Sequence, residues 1–223
     1  MEIHKIDGDY LKNLFNSKEF SDALEKCGNI THKRGVEASF TFLKQFSSPK
    51  IFLESILKGG CSAMQNAEKI YEHPDIYDTF SGYDLIKVHF HPEKDFTILP
   101  SSEDMITVLD SYEEECLENN LKYKIKGLSG IAKINNNKKI KMLLLQPCIP
   151  IFEGAYEEFE EKFSEDFYFL ESTKNKENEV KKILESTGYF RVKIIDFEKK
   201  DGMYNPKNLK GIEKFAFTPK LKI

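Results

Sequence analysis

Alternation of apolar and polar residues predicts strands in both halves of the chain. In residues 36–43 the apolar side chains fall on every second position, as in a strand with one buried face. Residues 85–91 show the same period of two: Ile86, Val88 and Phe90 share one face, and Lys87, His89 and His91 share the other. Further strands are predicted at residues 51–57, 131–134, 140–145 and 190–197. A hairpin turn is predicted at residues 135–138.

Apolar residues at helical spacing predict helices between the strands. Residues 10–26 carry an imperfect apolar stripe, and residues 101–118 carry apolar side chains three and four positions apart. Residues 152–163 combine an aromatic stripe with acidic side chains, which is typical of an amphipathic helix. Another helix, ended by Gly188, is expected after a polar linker, and the tail from Asp201 is predicted to be loop. This mixture of elements indicates an α/β fold.

Composition narrows the class of protein. The chain has 223 residues, a formal net charge of −4 and 40% hydrophobic residues, which suits one or two globular domains. The slight acidity argues against nucleic acid as a partner. The longest apolar run, residues 142–145, is far shorter than a membrane span, and the charged N-terminus lacks the apolar stretch of a signal peptide. We therefore expect a cytoplasmic protein that binds neither nucleic acid nor membranes.

One segment, residues 89–104, carries the side chains of a candidate metal site. Residues two apart in a strand point to the same face, roughly 6.6 Å apart, so His89 and His91 can converge on one ion. Three protein ligands and an open position are typical of a catalytic zinc site, and Asp104 can supply the third ligand from the next helix. The four cysteines include no CxxC pair, so they predict neither a zinc finger nor a disulfide framework.

Each part of this segment also has an ordinary structural explanation. Two histidines on a strand are often exposed surface residues, and Ser101 with Asp104 is close to a helix capping box. Their occurrence together, in the order strand, loop and helix N-terminus, favours the metal site. Capping and ligation are compatible, because the third residue of a helix's first turn faces the preceding loop.

These residues resemble the motif of the JAMM (MPN+) family of zinc metalloproteases. The motif here is His89-x-His91-Pro92 followed by Pro100-Ser101-x-x-Asp104. Nine residues separate His91 from Ser101 where the family usually has seven, so a longer loop is expected. The family also has a glutamate on an early strand, some fifty residues before the first histidine, and Glu37 lies 52 residues before His89. The resemblance covers about residues 10–147.

The resemblance implies a role for each residue. One Zn²⁺ per chain would be held by His89, His91 and Asp104, with Glu37 as the general base and Ser101 binding the oxyanion. Glu54 and Glu25 remain open as alternatives to Glu37, although Glu54 lies on a different predicted strand and Glu25 on a predicted helix. The implied fold is a JAMM/MPN-like curved mixed β-sheet flanked by helices.

Family members cleave ubiquitin or ubiquitin-like modifiers from lysine side chains. The resemblance therefore implies a zinc isopeptidase whose partner is a ubiquitin-like modifier or its conjugates. Two alternatives stay open. One is a non-catalytic MPN-type scaffold subunit, although such a scaffold would normally have lost some of the ligand positions that are filled here. The other is a peptidase with the same catalytic residues that processes a sulfur-carrier protein or a small peptide. The implied metalloprotease domain spans residues 1–147, and residues 148–223 are predicted to form a C-terminal α+β extension of unassigned role.

Overall fold

Eight strands and three α-helices make up the part of the chain that the computed structural model describes. That part comprises residues 5–45, 48–60, 68–73, 82–92, 127–147 and 176–217, with single residues at 98, 100, 101, 104, 108 and 161. In chain order the elements are α1 (Gly8–Phe15), α2 (Lys18–Arg34), β1 (Ala38–Gln45), β2 (Ile51–Lys58), β3 (Glu68–Glu72), β4 (Gly82–Phe90), β5 (Leu128–Ile134), β6 (Ile140–Pro147), α3 (Lys176–Ser186), β7 (Phe190–Lys200), β8 (Met203–Pro206) and a 3₁₀ helix (Ile212–Phe215).

All eight strands form one curled sheet in the order β3-β2-β1-β4-β5-β6-β7-β8. Neighbouring strands are antiparallel except β4 and β5, which run parallel. A parallel pair needs a crossover connection, and residues 91–127 provide it. The predicted α/β class is therefore confirmed, and Ser101 and Asp104 lie on the crossover that leaves the end of β4.

Each face of the sheet has its own hydrophobic core, because successive side chains of a strand point to opposite faces. The α2 face is covered by α1 and α2, which pack over a core that includes Phe40, Phe42, Val88, Phe90, Met142 and Phe197. The α3 face is covered by Val180 and Leu184 of α3, which pack with Ile98, Val108, Ile131, Leu143, Leu145 and Val192. Phe90 is fully buried on the α2 face, so His89 belongs to the α3 face.

The predicted strands correspond to β1, β2, β4, β5, β6 and β7, with ends that differ by a few residues. The single helix predicted over residues 10–26 is wrong, since α1 ends at Phe15 and α2 begins at Lys18. Ser17 causes the break: its hydroxyl accepts a hydrogen bond from the Phe20 N–H at 3.1 Å and caps a new helix. The tail predicted as loop contains β8, whose four residues are too few for a visible alternation.

The chain after residue 147 completes the same sheet. β7 pairs with β6 from Ile140 to Pro147, and β8 pairs with β7. Near the two ends of the described chain, Ile6 and Phe217 form a β-bridge with N–H···O distances of 2.9 Å in both directions. The domain boundary predicted after residue 147 therefore falls between two hydrogen-bonded strands, and β7 and β8 are part of the sheet that carries the histidines.

Two predicted helices lie largely outside the described residues. In the segment 101–118, Asp104 and Val108 are helical, and in the aromatic segment 152–163 only Glu161 is described, also as helical. Within the described part of the chain, no helix has both the length and the apolar character needed to cross a membrane.

Candidate metal centre

The pairing of β1 with β4 determines which residues lie next to His89 on the sheet. Ala38 pairs with Phe90 and Ser39 with His89 in this antiparallel ladder. Glu37 and His91 are the next residues beyond the Ala38–Phe90 pair, so the same register extended by one residue would set them opposite each other. Residues directly opposite each other share a face, with Cβ atoms about 4.5–5.5 Å apart. Glu37, Ser39, His89 and His91 therefore mark the corners of a small rectangle on the α3 face.

The position of Glu37 follows from the way α2 ends. Gly35 adopts a left-handed conformation with φ of 63°, and its N–H donates to Thr31 O at 2.9 Å, which closes the helix. Two residues later the backbone of Glu37 is fixed at the start of β1: its N–H donates to Gly60 O at 2.8 Å, and its carbonyl accepts from Gly59 N at 2.9 Å. The half-buried Glu37 is thus held immediately before the first residue of β1.

The side chains of His89, His91 and Asp104 bring their metal-binding atoms close together. His89 Nε2 lies 3.0 Å from His91 Nε2 and 2.9 Å from Asp104 Oδ1. His91 Nε2 lies 3.2 Å from Asp104 Oδ2. The side chains are largely shielded, with exposed fractions of 16% for His89, 8% for His91 and 14% for Asp104. This His-His-Asp group can hold a metal ion.

Hydrogen bonds alone do not satisfy these three contacts. A histidine ring nitrogen carries either one hydrogen or one lone pair. His89 Nε2 has close contacts with both His91 Nε2 and Asp104 Oδ1, and one hydrogen cannot lie along both lines. A cation placed among the three atoms would accept a lone pair from each of them. Ligands about 2.0–2.1 Å from a tetrahedral zinc stand about 3.3 Å apart, which is close to the separations here.

Ser101 and Asp104 form a reciprocal capping box on the crossover, where Asp104 and Val108 are helical. The Ser101 N–H donates to Asp104 Oδ2 at 2.6 Å, and the Asp104 N–H donates to Ser101 Oγ at 3.1 Å. The helix cap and the contact with the histidines thus use the same carboxylate. Ser101 is exposed, and its cap uses a lone pair, so its hydroxyl hydrogen can be donated elsewhere.

Asp104 is held in the charged form that a metal ligand needs. Burial raises the pKa of its carboxyl, but hydrogen bonds with His89 and His91, and the positive charge that their rings can carry, lower it more. The result is a pKa well below the usual range of an aspartate. An ionised carboxylate binds a metal without first losing a proton.

The crossover is tied to the C-terminal part of the chain. Ile98 and Val108 pack into the core of the α3 face with residues of α3 and β7. Glu177 of α3 accepts a hydrogen bond from the Ile98 N–H at 3.3 Å, and the same oxygen binds Lys141 Nζ at 2.5 Å. The residues predicted as an extension therefore contact the segment that leads from the histidines to Ser101.

The two alternatives to Glu37 lie elsewhere. Glu25 forms an ion pair with Lys199 of β7, on the α2 face. Burial raises the pKa of the Glu54 carboxyl, and the negative charge of nearby Asp84 raises it further. Asp84 precedes His89 by five residues of β4, or about 16 Å along the strand. Of the three glutamates, Glu37 is the one that directly precedes the β1 residues paired with Phe90 and His89.

Sequence reasoning did not point to Ser39, which pairs with His89, or to Glu177, which contacts the crossover. Ser39 had a visible signal, because it shares the polar face of its predicted strand with Glu37. Glu177 had none, since its contact with Ile98 joins residues 79 positions apart.

Comparisons with known proteins assign no family to the chain. No protein-family model matches it, and no curated protein or solved structure is detectably similar to it.

Proposed function

We propose that this protein is a zinc-dependent hydrolase of peptide or isopeptide bonds, with a ubiquitin-like modifier joined to lysine as its substrate. The observation that carries the proposal is the cluster of His89, His91 and Asp104, whose three ligand atoms lie within 4.8 Å of one another. Two nitrogens and one carboxylate oxygen are a donor set that zinc uses in catalytic sites, where a fourth position stays open. The match of the motif to the JAMM pattern supplies the reaction type.

In this proposal His89, His91 and Asp104 hold the ion. When bound, zinc supplies a Lewis acid that polarises a carbonyl group and lowers the pKa of a coordinated water to about 7. The Glu37 carboxylate, beside His91, takes a proton from the attacking water and returns it to the departing lysine amine as the C–N bond breaks. Ser101 donates its hydroxyl hydrogen to the oxyanion of the tetrahedral intermediate. No side chain forms a covalent bond with the substrate.

Cleavage of a defined conjugate tests this proposal. Metal-free protein, protein loaded with one equivalent of Zn²⁺, and zinc-loaded Glu37→Gln are incubated with ubiquitin joined to the Nε atom of a lysine peptide. We expect cleavage only by the zinc-loaded parent. A linear peptide library assayed in parallel identifies a peptidase that prefers α-peptide bonds. If the zinc-loaded parent cleaves neither substrate, the hydrolase proposal is wrong and the scaffold alternative is favoured.

A further inference from the structure

A buried hydroxyl beside the candidate metal site has no hydrogen-bond partner among the residues that the structure describes. Ser39 is 1% exposed, and its Oγ atom makes no hydrogen bond with the described residues. Burying a hydroxyl without a hydrogen bond is unfavourable, so such a group calls for an explanation. Thr31 Oγ1 is in the same situation, but Thr31 lies on α2, across the sheet from the histidines.

Strand pairing sets Ser39 beside one of the two histidines. Ser39 is directly opposite His89 and shares its face of the sheet. The Nε2 atom of His89 is the one that meets His91 and Asp104. The other ring nitrogen, Nδ1, is one bond from Cγ and so lies nearer the backbone, which makes it the ring nitrogen that a short side chain on the neighbouring strand would meet after a small rotation of either side chain.

Metal-binding histidines usually donate the hydrogen of their second ring nitrogen to an acceptor, which fixes the tautomer and the ring orientation. We propose that Ser39 is a positioning residue of the metal centre, whose hydroxyl oxygen accepts the Nδ1 hydrogen of His89 when Nε2 binds the ion. This inference rests on the metal centre proposed above. It explains why an otherwise unpaired hydroxyl is buried opposite a ligand.

Zinc affinity tests the inference without reference to activity. Zn²⁺ is titrated into metal-free protein against a competing chelator for the parent, Ser39→Ala, Ser39→Thr and Thr31→Val. We expect Ser39→Ala to weaken zinc binding about 10–100-fold, the usual effect of losing such a partner. Ser39→Thr keeps the hydroxyl and should bind within about threefold of the parent. Thr31→Val removes an equally buried hydroxyl and should bind as the parent does.

Stability of the metal-free proteins separates this role from a structural one. Removing an unpaired hydroxyl should leave the melting temperature of Ser39→Ala unchanged or higher. A lower melting temperature in the absence of metal would show that the hydroxyl bonds within the protein and would overturn the inference. So would a Ser39→Ala protein that binds zinc as tightly as the parent. A parent that binds no zinc would overturn the proposed function as well.

The parent protein alone provides a second readout. In a ¹⁵N-edited NMR spectrum of zinc-loaded protein, the His89 ring should carry its hydrogen on Nδ1, protected from exchange with solvent. Ser39→Ala should lose that protection. A His89 ring bound to zinc through Nδ1 would contradict the proposed hydrogen bond.

Discussion

Ser101 and Asp104 exchange two hydrogen bonds, from each backbone N–H to the other's side chain, while the Asp104 carboxylate also contacts both histidines. The hydrogen bond from the Ser101 N–H therefore helps to hold the Asp104 carboxylate in the rotamer that contacts the His89 and His91 rings. The helix cap and the candidate metal site therefore share one carboxylate. This shared use predicts that substitutions at the two positions have separable effects on metal binding and on chemistry.

Asp104→Asn should remove zinc binding with little damage to the helix. The asparagine oxygen can still accept the Ser101 N–H, but it lacks the charge that a ligand provides. Since loss of an outer partner costs 10–100-fold in affinity, we expect loss of the ligand itself to cost more than about 100-fold. Competition with a chelator measures the affinity, and circular dichroism checks the fold. An Asp104→Asn protein that binds zinc like the parent would refute the ligand set.

Ser101→Ala should retain zinc and lose activity. The rate should fall about 10²–10³-fold through loss of an oxyanion donor. Stability should fall by about 1 kcal/mol through loss of the cap. Ser17→Ala is the matched control, because Ser17 caps α2 in the same way and lies away from the site. Urea unfolding and the cleavage rate per folded molecule, measured for both variants, separate the two effects. Equal rates in the two variants would remove Ser101 from the mechanism.

Glu37→Gln should keep zinc while turnover falls by about 10²–10⁴-fold, because glutamine cannot accept the proton of the attacking water. Zinc content and cleavage rate are measured on one preparation. A rate close to that of the parent, with zinc retained, would reassign the general base.

Glu54→Gln is the control for that experiment and has its own pH signature. Burial, and then the charge of Asp84, raises the pKa of Glu54, so the folded protein binds the proton more tightly than the unfolded chain does. The charged form therefore destabilises the fold above the folded pKa, and the penalty disappears as the pH falls below the unfolded pKa of about 4.3. Glu54→Gln should be more stable than the parent at pH 7, equal to it near pH 3, and unchanged in turnover. Urea unfolding at the two pH values tests this, and a stability gain that is the same at both would contradict it.

Glu177→Gln should destabilise the protein, because Glu177 joins α3 to the crossover and to β6. It removes a charged partner from the largely shielded Lys141 and weakens the acceptor for the Ile98 N–H. We expect the free energy of unfolding to fall by about 1–3 kcal/mol, as for hydrogen bonds to charged groups. Glu185→Gln on the same helix breaks only an exposed pair with Lys181 and should cost less than about 0.5 kcal/mol. Equal losses in the two variants would argue against this role of Glu177.

Local patterns predicted much of this fold, because a strand with one buried face shows alternating apolar and polar residues in its own sequence. β1 and β4 were visible for that reason, and so was the shared face of His89 and His91. The break between α1 and α2 was missed because one cap at Ser17 outweighs an apolar stripe that runs across it. β8 was missed because a short edge strand depends on its partner rather than on its own pattern.

In the candidate site, too, residues close together in the sequence could be predicted, whereas contacts between distant segments could not. Spacing alone pointed to His89, His91, Ser101 and Asp104, which are close in sequence. The place of Glu37 opposite His91 depends on strand pairing, which no local pattern fixes. The contact of Glu177 with Ile98 depends on the order of strands across the whole sheet. For the same reason, the sequence did not reveal that residues after 147 complete the sheet that bears the histidines.

The X-ray absorption spectrum of the zinc-loaded protein reports directly on the proposed ligands. We expect one zinc per chain, with two imidazole nitrogens and two oxygens at about 2.0–2.2 Å and no sulfur. One imidazole should disappear from the spectrum of His89→Ala under the same loading. Sulfur at about 2.3 Å, or an unchanged spectrum in His89→Ala, would show that His89, His91 and Asp104 do not hold the zinc.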